Sequence, residues 1–218
     1  MKMTKDEYIR SLSFWTLAIK YLHLVQNVVE EILKQGNPWL VVTLSKGARP
    51  SIEERSEQYN EKTRWSDFNL IEPLLFNFYH GLELLVKGFL LARSPADAPP
   101  AHHGIEKLVQ RFVELFPDEK DLGECLSKYT QPKDLPALIT GFLSDNGLLF
   151  GQLYEVLRYP ANVTFDSIRR YGELRYKEAD GLPFFQNVSN DVKRLRRAAV
   201  RLGENIEKES FGDTGYTP

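Results

Sequence analysis

Apolar side chains crowd residues 69–93, NLIEPLLFNFYHGLELLVKGFLLAR, more densely than any other stretch of the chain. At about 100° per residue, Leu74, Leu75, Phe78, Leu82, Leu85, Val86, Phe89 and Leu90 cover most of a helix circumference, so several elements must pack around it. The pattern predicts a central core helix. His80, Glu83 and Lys87 interrupt it within about 60° of one another, and Glu83 precedes Lys87 in the order that favours an intrahelical ion pair. Asn77, Gly81 and Gly88 lie on an adjoining face, where the two glycines allow another helix to come close at some cost in helix propensity. Charges at mid-span count against a membrane crossing.

The remaining pattern is also helical. Thr4 and Glu7 form a capping box, after which Tyr8, Leu12, Trp15, Ile19, Leu22, Val29 and Leu33 recur at three- and four-residue spacing until Gly36, Asn37 and Pro38. This predicts a long first helix over about residues 4–35, its narrow heptad-like stripe lying along the bundle or a partner subunit. WLVVTLS at 39–45 is the best strand candidate or else an extended connector, and Ser51 with Glu54 caps a charged helical link. If Asn69 caps the central helix and Glu72 closes its box, Pro73 falls in the first turn, where proline is tolerated. A loop at 94–101 leads to a helix with Ile105, Leu108, Val109, Phe112, Leu115 and Phe116 inward, and a further helix runs through Cys125 and Tyr129. Residues 136–158 are helical in period but interrupted near Asp145, Asn146 and Gly147. Irregular chain or a short hairpin follows Pro160, and a basic helix over about 185–208 ends the pattern. The fold expected is all-α, one helical domain over 1–218 with at most a short strand or hairpin.

Composition changes this picture little, but charge does. The start of the chain has no apolar signal core, and a cytoplasmic location is expected. The lone Cys125 excludes an internal disulfide. Residues 158–201 carry 10 Lys and Arg against 5 Asp and Glu, whereas 1–157 carry 17 against 21. A basic segment of that kind can meet phosphate or simply form a solvated helix face.

Three stretches together resemble a known family. FYHGLELLVKGFLLA at 78–92, HHGIEKLVQRF at 102–112 and YEVLRYP at 154–160 are similar in order and kind to HEPN domains, helical bundles of prokaryotic defence and toxin systems. The resemblance covers about residues 69–165 and implies an antiparallel helical bundle that often dimerises. Many members are metal-independent ribonucleases with an Arg, four to six residues, then a His. This chain departs from that: its histidines are 23, 80, 102 and 103, none follows Arg158, and the intervals after the preceding arginines are too long. The resemblance therefore implies a non-catalytic member that binds RNA, a nucleotide or a partner such as a nucleotidyltransferase, with a homodimer expected.

Two candidate sites result. His80, Glu83, Lys87 and His103 form one polar cluster, with Glu83 and Lys87 read as a partly buried ion pair and His103 reaching back to Glu83. Arg158 and Tyr159 pair a phosphate fork with a stacking face, and Arg169, Arg170, Lys193, Arg194 and Arg197 could extend that surface for RNA. The rival reading has Arg158 bonding helix-end carbonyls and Tyr159 packed in the core. No metal and no cofactor are expected: the adjacent His102 and His103 lack ligand partners at helical spacing, and neither a Gly-x-Ser-x-Gly turn nor a glycine-rich phosphate loop occurs. A divergent ribonuclease using His80 or His103 with Arg158 remains the alternative chemistry, and a scaffold module without RNA the alternative role.

Overall fold

The computed structural model describes residues 3–39, 50–94, 104–161, 164 and 166–212, and it is an all-α bundle. Its helices are α1 (Lys5–Gln35), α2 (Ile52–Thr63), α3 (Asp67–Arg93), α4 (Ile105–Leu115), α5 (Lys120–Thr130), α6 (Ala137–Asp145), α7 (Leu153–Val156) and α8 (Leu182–Phe211). The Thr4 and Ser51 capping boxes start α1 and α2, and Gly36 stops α1 in the left-handed region at φ 82°.

Helix α3 is the centre of one contiguous apolar core that draws in side chains from Met3 to Ile206. By length and hydropathy the α2–α3 run includes a window apolar enough to cross a membrane, but 72% of that window is buried, the position of a core helix. Against α3 lies α1, running antiparallel: a Cβ on Gly81 would stand 3.2 Å from Leu22 and Tyr21, and one on Gly88 would stand 3.1 Å from Phe14 and far inside contact distance of Trp15. The glycine pair thus admits α1. Its buried seam is Ser11, Trp15, Ala18, Leu22, Val25, Val29 and Ile32, a strict heptad. Only Trp15, Leu22 and Val29 of the expected stripe belong to it; Leu12 is exposed and Ile19 half-buried, while the small Ser11 and Ala18 are buried in the seam.

Helix α8 covers the other flank of α1, antiparallel to it, with Tyr8 against Phe211 and Glu30 against Lys193 at the two ends. Helix α4 runs alongside α3 in the same direction, since Phe89 meets Phe112 and Phe116 farther along both helices. The interruption expected at 145–147 separates α6 from α7.

One expectation changes. Helix α3 starts at Asp67, two residues before Asn69, because the Asp67 carboxylate accepts from Asn37 Nδ2 and from the backbone N–H groups of Tyr176 and Lys177. Asn69 instead donates to the Thr63 carbonyl at 2.8 Å, and Glu72 pairs with Arg175, so Pro73 sits in the second turn. The segment after Pro160, expected as irregular chain or a short hairpin, is largely irregular among the described residues, with an isolated antiparallel bridge, Ala161 to Ile168, and a 3-10 turn, Glu178–Gly181. The strand expected over 39–45 lies outside the described residues except for Trp39.

Replacing Gly88 with Ala is expected to destabilise the protein by about 1–3 kcal/mol, since the added methyl would overlap the Trp15 indole. Gly203→Ala, whose methyl would meet Trp15 at an ordinary 3.7 Å, is expected to be neutral or stabilising by up to about 1 kcal/mol. Urea unfolding followed by helical circular dichroism compares the two, and equal costs would refute the close-approach argument.

Candidate functional site

The polar seam of α3 survives folding as a buried feature. Lys87 Nζ donates to Glu83 Oε1 at 2.6 Å, with side chains 12% and 4% exposed. Such a pair has lost most of its water, so each charge depends on the other for compensation. One turn earlier, the His80 ring has Tyr21 edge-on at 4.7 Å and Phe76 stacked at 5.9 Å, and its Nδ1 lies 3.0 Å from the Tyr154 hydroxyl. Burial first, and the Glu83 charge second, raise the Tyr154 pKa. The hydroxyl therefore stays protonated and donates whenever Nδ1 is the bare nitrogen.

Arg158 joins this group through the same tyrosine. Its guanidinium lies 6.0 Å from the Tyr154 ring centre and 5.1 Å from that of Tyr159, and Nη2 donates to the Tyr159 hydroxyl at 3.1 Å. Stacking on two rings holds the fork while leaving it in solvent. Tyr159 is 52% exposed, so its ring does not pack in the core, and no carboxylate pairs with Arg158 among the described residues. His80 and Tyr154, 74 positions apart in the sequence, and Arg158 thus form one connected chain of contacts. His103, and with it the contact expected to Glu83, lies outside the described residues.

The basic segment divides in two. Arg169 is drawn beside the α7 exit by the hydrogen bond from its N–H to the Pro160 carbonyl, 2.8 Å, and Arg170 follows, its N–H donating to Asn146 Oδ1. Tyr171 closes this loop by donating to the Val156 carbonyl at 2.6 Å. Lys193, Arg194 and Arg197 stand on α8, which packs on the opposite flank of α1: Tyr21 meets His80, whereas Gln26, about 140° further round, accepts from Arg196. There Lys193 pairs with Glu30 at 2.9 Å and Arg194 with Asp191 at 3.6 Å. Internal carboxylates answer much of this half of the charge. Arg197 is exposed.

A cleft of about 390 Å³ opens next to the seam, between α3, the first turn of α4 and the chain entering α7. Tyr79 and Glu83 border it on one side, Ile105 and Lys107 on another, Phe150, Leu153 and Tyr154 on a third. Tyr79 is 3% exposed and its hydroxyl has no hydrogen-bond partner among the described residues, a deficit that ordinarily costs about 1–3 kcal/mol. Burial raises its pKa, so it remains a donor. The reading of residues 69–93 passed over Tyr79; the signal was a tyrosine within a run of otherwise aliphatic and phenylalanine side chains.

A second buried charge also went unread. Asp191, 5% exposed, accepts from Lys128 Nζ at 2.6 Å and Tyr129 OH at 2.8 Å, clamping α5 to α8. Its signal was position: three residues after Val188 and four before Leu195, it falls on the apolar stripe. Cys125 is buried beside it, its thiol pKa pushed up to about 12 by burial and by Asp191.

Two outcomes check this electrostatic picture. Glu83→Ala is expected to cost about 3 kcal/mol, because it strands Lys87, while the double replacement Glu83→Leu with Lys87→Met costs less; urea midpoints that rank the other way would reject a dry ion pair. At pH 8 the Cys125 thiol should resist iodoacetamide in the folded protein and react readily in urea, as burial keeps it protonated far above its ordinary range. Fast alkylation of the folded chain would contradict that.

Compared with protein-family models, with curated proteins and with solved structures, the chain has no match, so its site is read from its own geometry.

Proposed function

We propose that this chain is a non-catalytic, HEPN-like helical protein that binds RNA or a nucleotide at the face carrying Arg158 and Tyr159. The observation that carries the reading is the Arg158 fork seated on Tyr154 and Tyr159 with no carboxylate partner among the described residues, beside a Tyr159 that is 52% exposed. A guanidinium grips a phosphate with two parallel hydrogen bonds, and an exposed tyrosine beside it stacks the adjoining base. Arg169 and Arg170, brought to the same loop, add charge along the backbone path. The ordered resemblance of 78–92, 102–112 and 154–160 to HEPN domains supports the same role, in a prokaryotic defence or toxin–antitoxin setting.

A homodimer fits the surface of α1. Phe14, Leu17, Tyr21, Leu24 and Val28 repeat at heptad spacing beside the buried seam, and Leu17 and Leu24 are 44% and 48% exposed. The same stripe could receive a nucleotidyltransferase, the scaffold reading.

One observation favours a second chemistry. His80, Tyr154 and Arg158 are in contact, and a histidine with an arginine is the pair a metal-independent ribonuclease needs for proton transfer and phosphate charge. Cleavage of RNA in the presence of EDTA, lost in both His80→Ala and Arg158→Ala, would select it.

Binding is tested by fluorescence anisotropy with a labelled single-stranded RNA over a salt series. Affinity is expected to fall steeply with salt; Arg158→Ala should reduce the log–log slope by about 0.7, and Tyr159→Ala should cost about 1–3 kcal/mol. Lys193→Ala and Arg194→Ala should leave affinity near wild type, since both cations are already paired. Absence of RNA affinity together with a concentration-dependent oligomer would replace this reading with the scaffold one.

A further inference from the structure

Outside the apolar core, Tyr176 gathers a satellite group of rings. It lies edge-on to Trp39 at 5.1 Å and tilted on Phe68 at 5.3 Å, and none of the three belongs to the core that joins the helices. Tyr176 is 46% exposed, second only to Tyr159 among the aromatic side chains of the described residues. Its backbone lies in the left-handed region at φ 62°, uncommon for an aromatic residue, and Glu178 follows at φ 47°. Such a turn persists only where its surroundings fix it. Here the Asp67 carboxylate, 1% exposed, accepts from the Tyr176 and Lys177 N–H groups at 3.0 and 2.8 Å, and Asn37 Nδ2 donates to the Glu178 carbonyl at 2.9 Å. A buried polar clamp thus holds an aromatic ring out in solvent.

Continuous contacts tie that ring to the Arg158 face. The Tyr171 hydroxyl donates to the Val156 carbonyl and stands 3.4 Å from the carbonyl of Tyr159. Over the Tyr171 ring, at 5.3 Å, lies the Arg175 guanidinium, which also covers Phe68 at 5.9 Å. Tyr159 and Tyr176 are therefore fixed relative to each other, with Tyr171 and Arg175 between them. Charge is divided unequally along this path. Arg175 pairs with Glu72 and Lys177 with Glu173, so the Tyr176 end offers a ring face with its nearest cations already answered. At the other end Arg158 stacks on rings and has no carboxylate partner among the described residues.

From this arrangement we infer that Tyr176 is a second stacking station on the same surface, and that the ligand is a single-stranded RNA of several nucleotides. Arg158 holds a phosphate of the strand, one base stacks on Tyr159, and another base of the same strand stacks on Tyr176. Sites for single strands combine a charged track with aromatic faces on which any base can stack. A mononucleotide would reach only one of the two rings. The inference rests on RNA binding at Arg158 and narrows its ligand from a nucleotide to a strand.

Fluorescence anisotropy on the full chain tests it with end-labelled oligoadenylates of two and of ten nucleotides over a salt series. The longer strand is expected to bind at least about tenfold more tightly than the dinucleotide. Tyr176→Gly, which removes the ring and relieves the left-handed backbone, should weaken the longer strand about tenfold, leave the dinucleotide unchanged and keep the helical spectrum. Because the lost contact is a stack and not a phosphate contact, the log–log salt slope should stay that of the wild type, in contrast to Arg158→Ala. Tyr176→Trp, which keeps a stacking face, should restore affinity. The inference is overturned if Tyr176→Gly binds the longer strand as the wild type does, if it weakens both strands equally, or if it lowers the salt slope. It is also overturned if Tyr176→Gly abolishes self-association and leaves RNA affinity intact, which would make the ring a protein contact. A wild-type chain that binds neither strand would overturn the Arg158 reading as well, whereas loss of the Tyr176 effect alone leaves that reading standing.

Discussion

Gly81 and Gly88 let α1 lie so close against α3 that a β-carbon at Gly88 would occupy the place of the Trp15 indole. Much of the structure depends on that approach. It buries one side of α3 under a strict heptad of α1, and so brings the polar seam to the edge of the contact instead of its middle. The Tyr21 ring can then meet His80 edge-on, while Glu83 and Lys87, one turn on, are paired and largely shut away from water. A pair this dry is weak evidence for added stability and better evidence for a fixed geometry, since either charge alone would be expensive.

Polar cross-links hold the elements that the apolar core does not orient. Asp67 gathers Asn37 from the end of α1 and the backbone of Tyr176 and Lys177 from the segment before α8, so three distant parts of the chain share one carboxylate. Asp191 does the same for α5 and α8. Each acid is buried and fully occupied, which is the condition under which a buried charge specifies an arrangement without a large penalty. Between these clamps, the short α7 carries Tyr154 against His80, with Arg158 following at its exit.

The charge excess of 158–201 takes on a different meaning in three dimensions. Net charge along a sequence states how many cations a segment has, whereas binding depends on how many remain unpaired on one surface. On α8 the partners come from elsewhere in the chain, Glu30 of α1 for Lys193 and Glu119, just before α5, for Arg201, as well as from Asp191 one turn back. At the α7 exit Arg158 has aromatic rings instead of carboxylates for neighbours. The weaker concentration of charge is therefore the better candidate for phosphate.

The sequence by itself determined the helices, because hydrophobic period, capping boxes and stop signals are local. Residues 4–35 and 69–93, the break at 145–147 and the Glu83–Lys87 pairing all follow from spacing within one element. It also showed that Gly81 and Gly88 allow another helix to come close. Which helix would do so, and on which row of its own side chains, was decided by the tertiary structure, since Ser11 and Ala18 carry little hydrophobic signal yet lie in the buried seam. The same holds for the start of α3, moved from Asn69 to Asp67 by hydrogen bonds to residues over a hundred positions away. The meeting of His80 with Tyr154 and Arg158, and the cleft at Tyr79, are likewise products of assembly. Periodicity records which side of a helix turns inward, but the partner found there depends on contacts between residues far apart in the chain, and no local pattern encodes those.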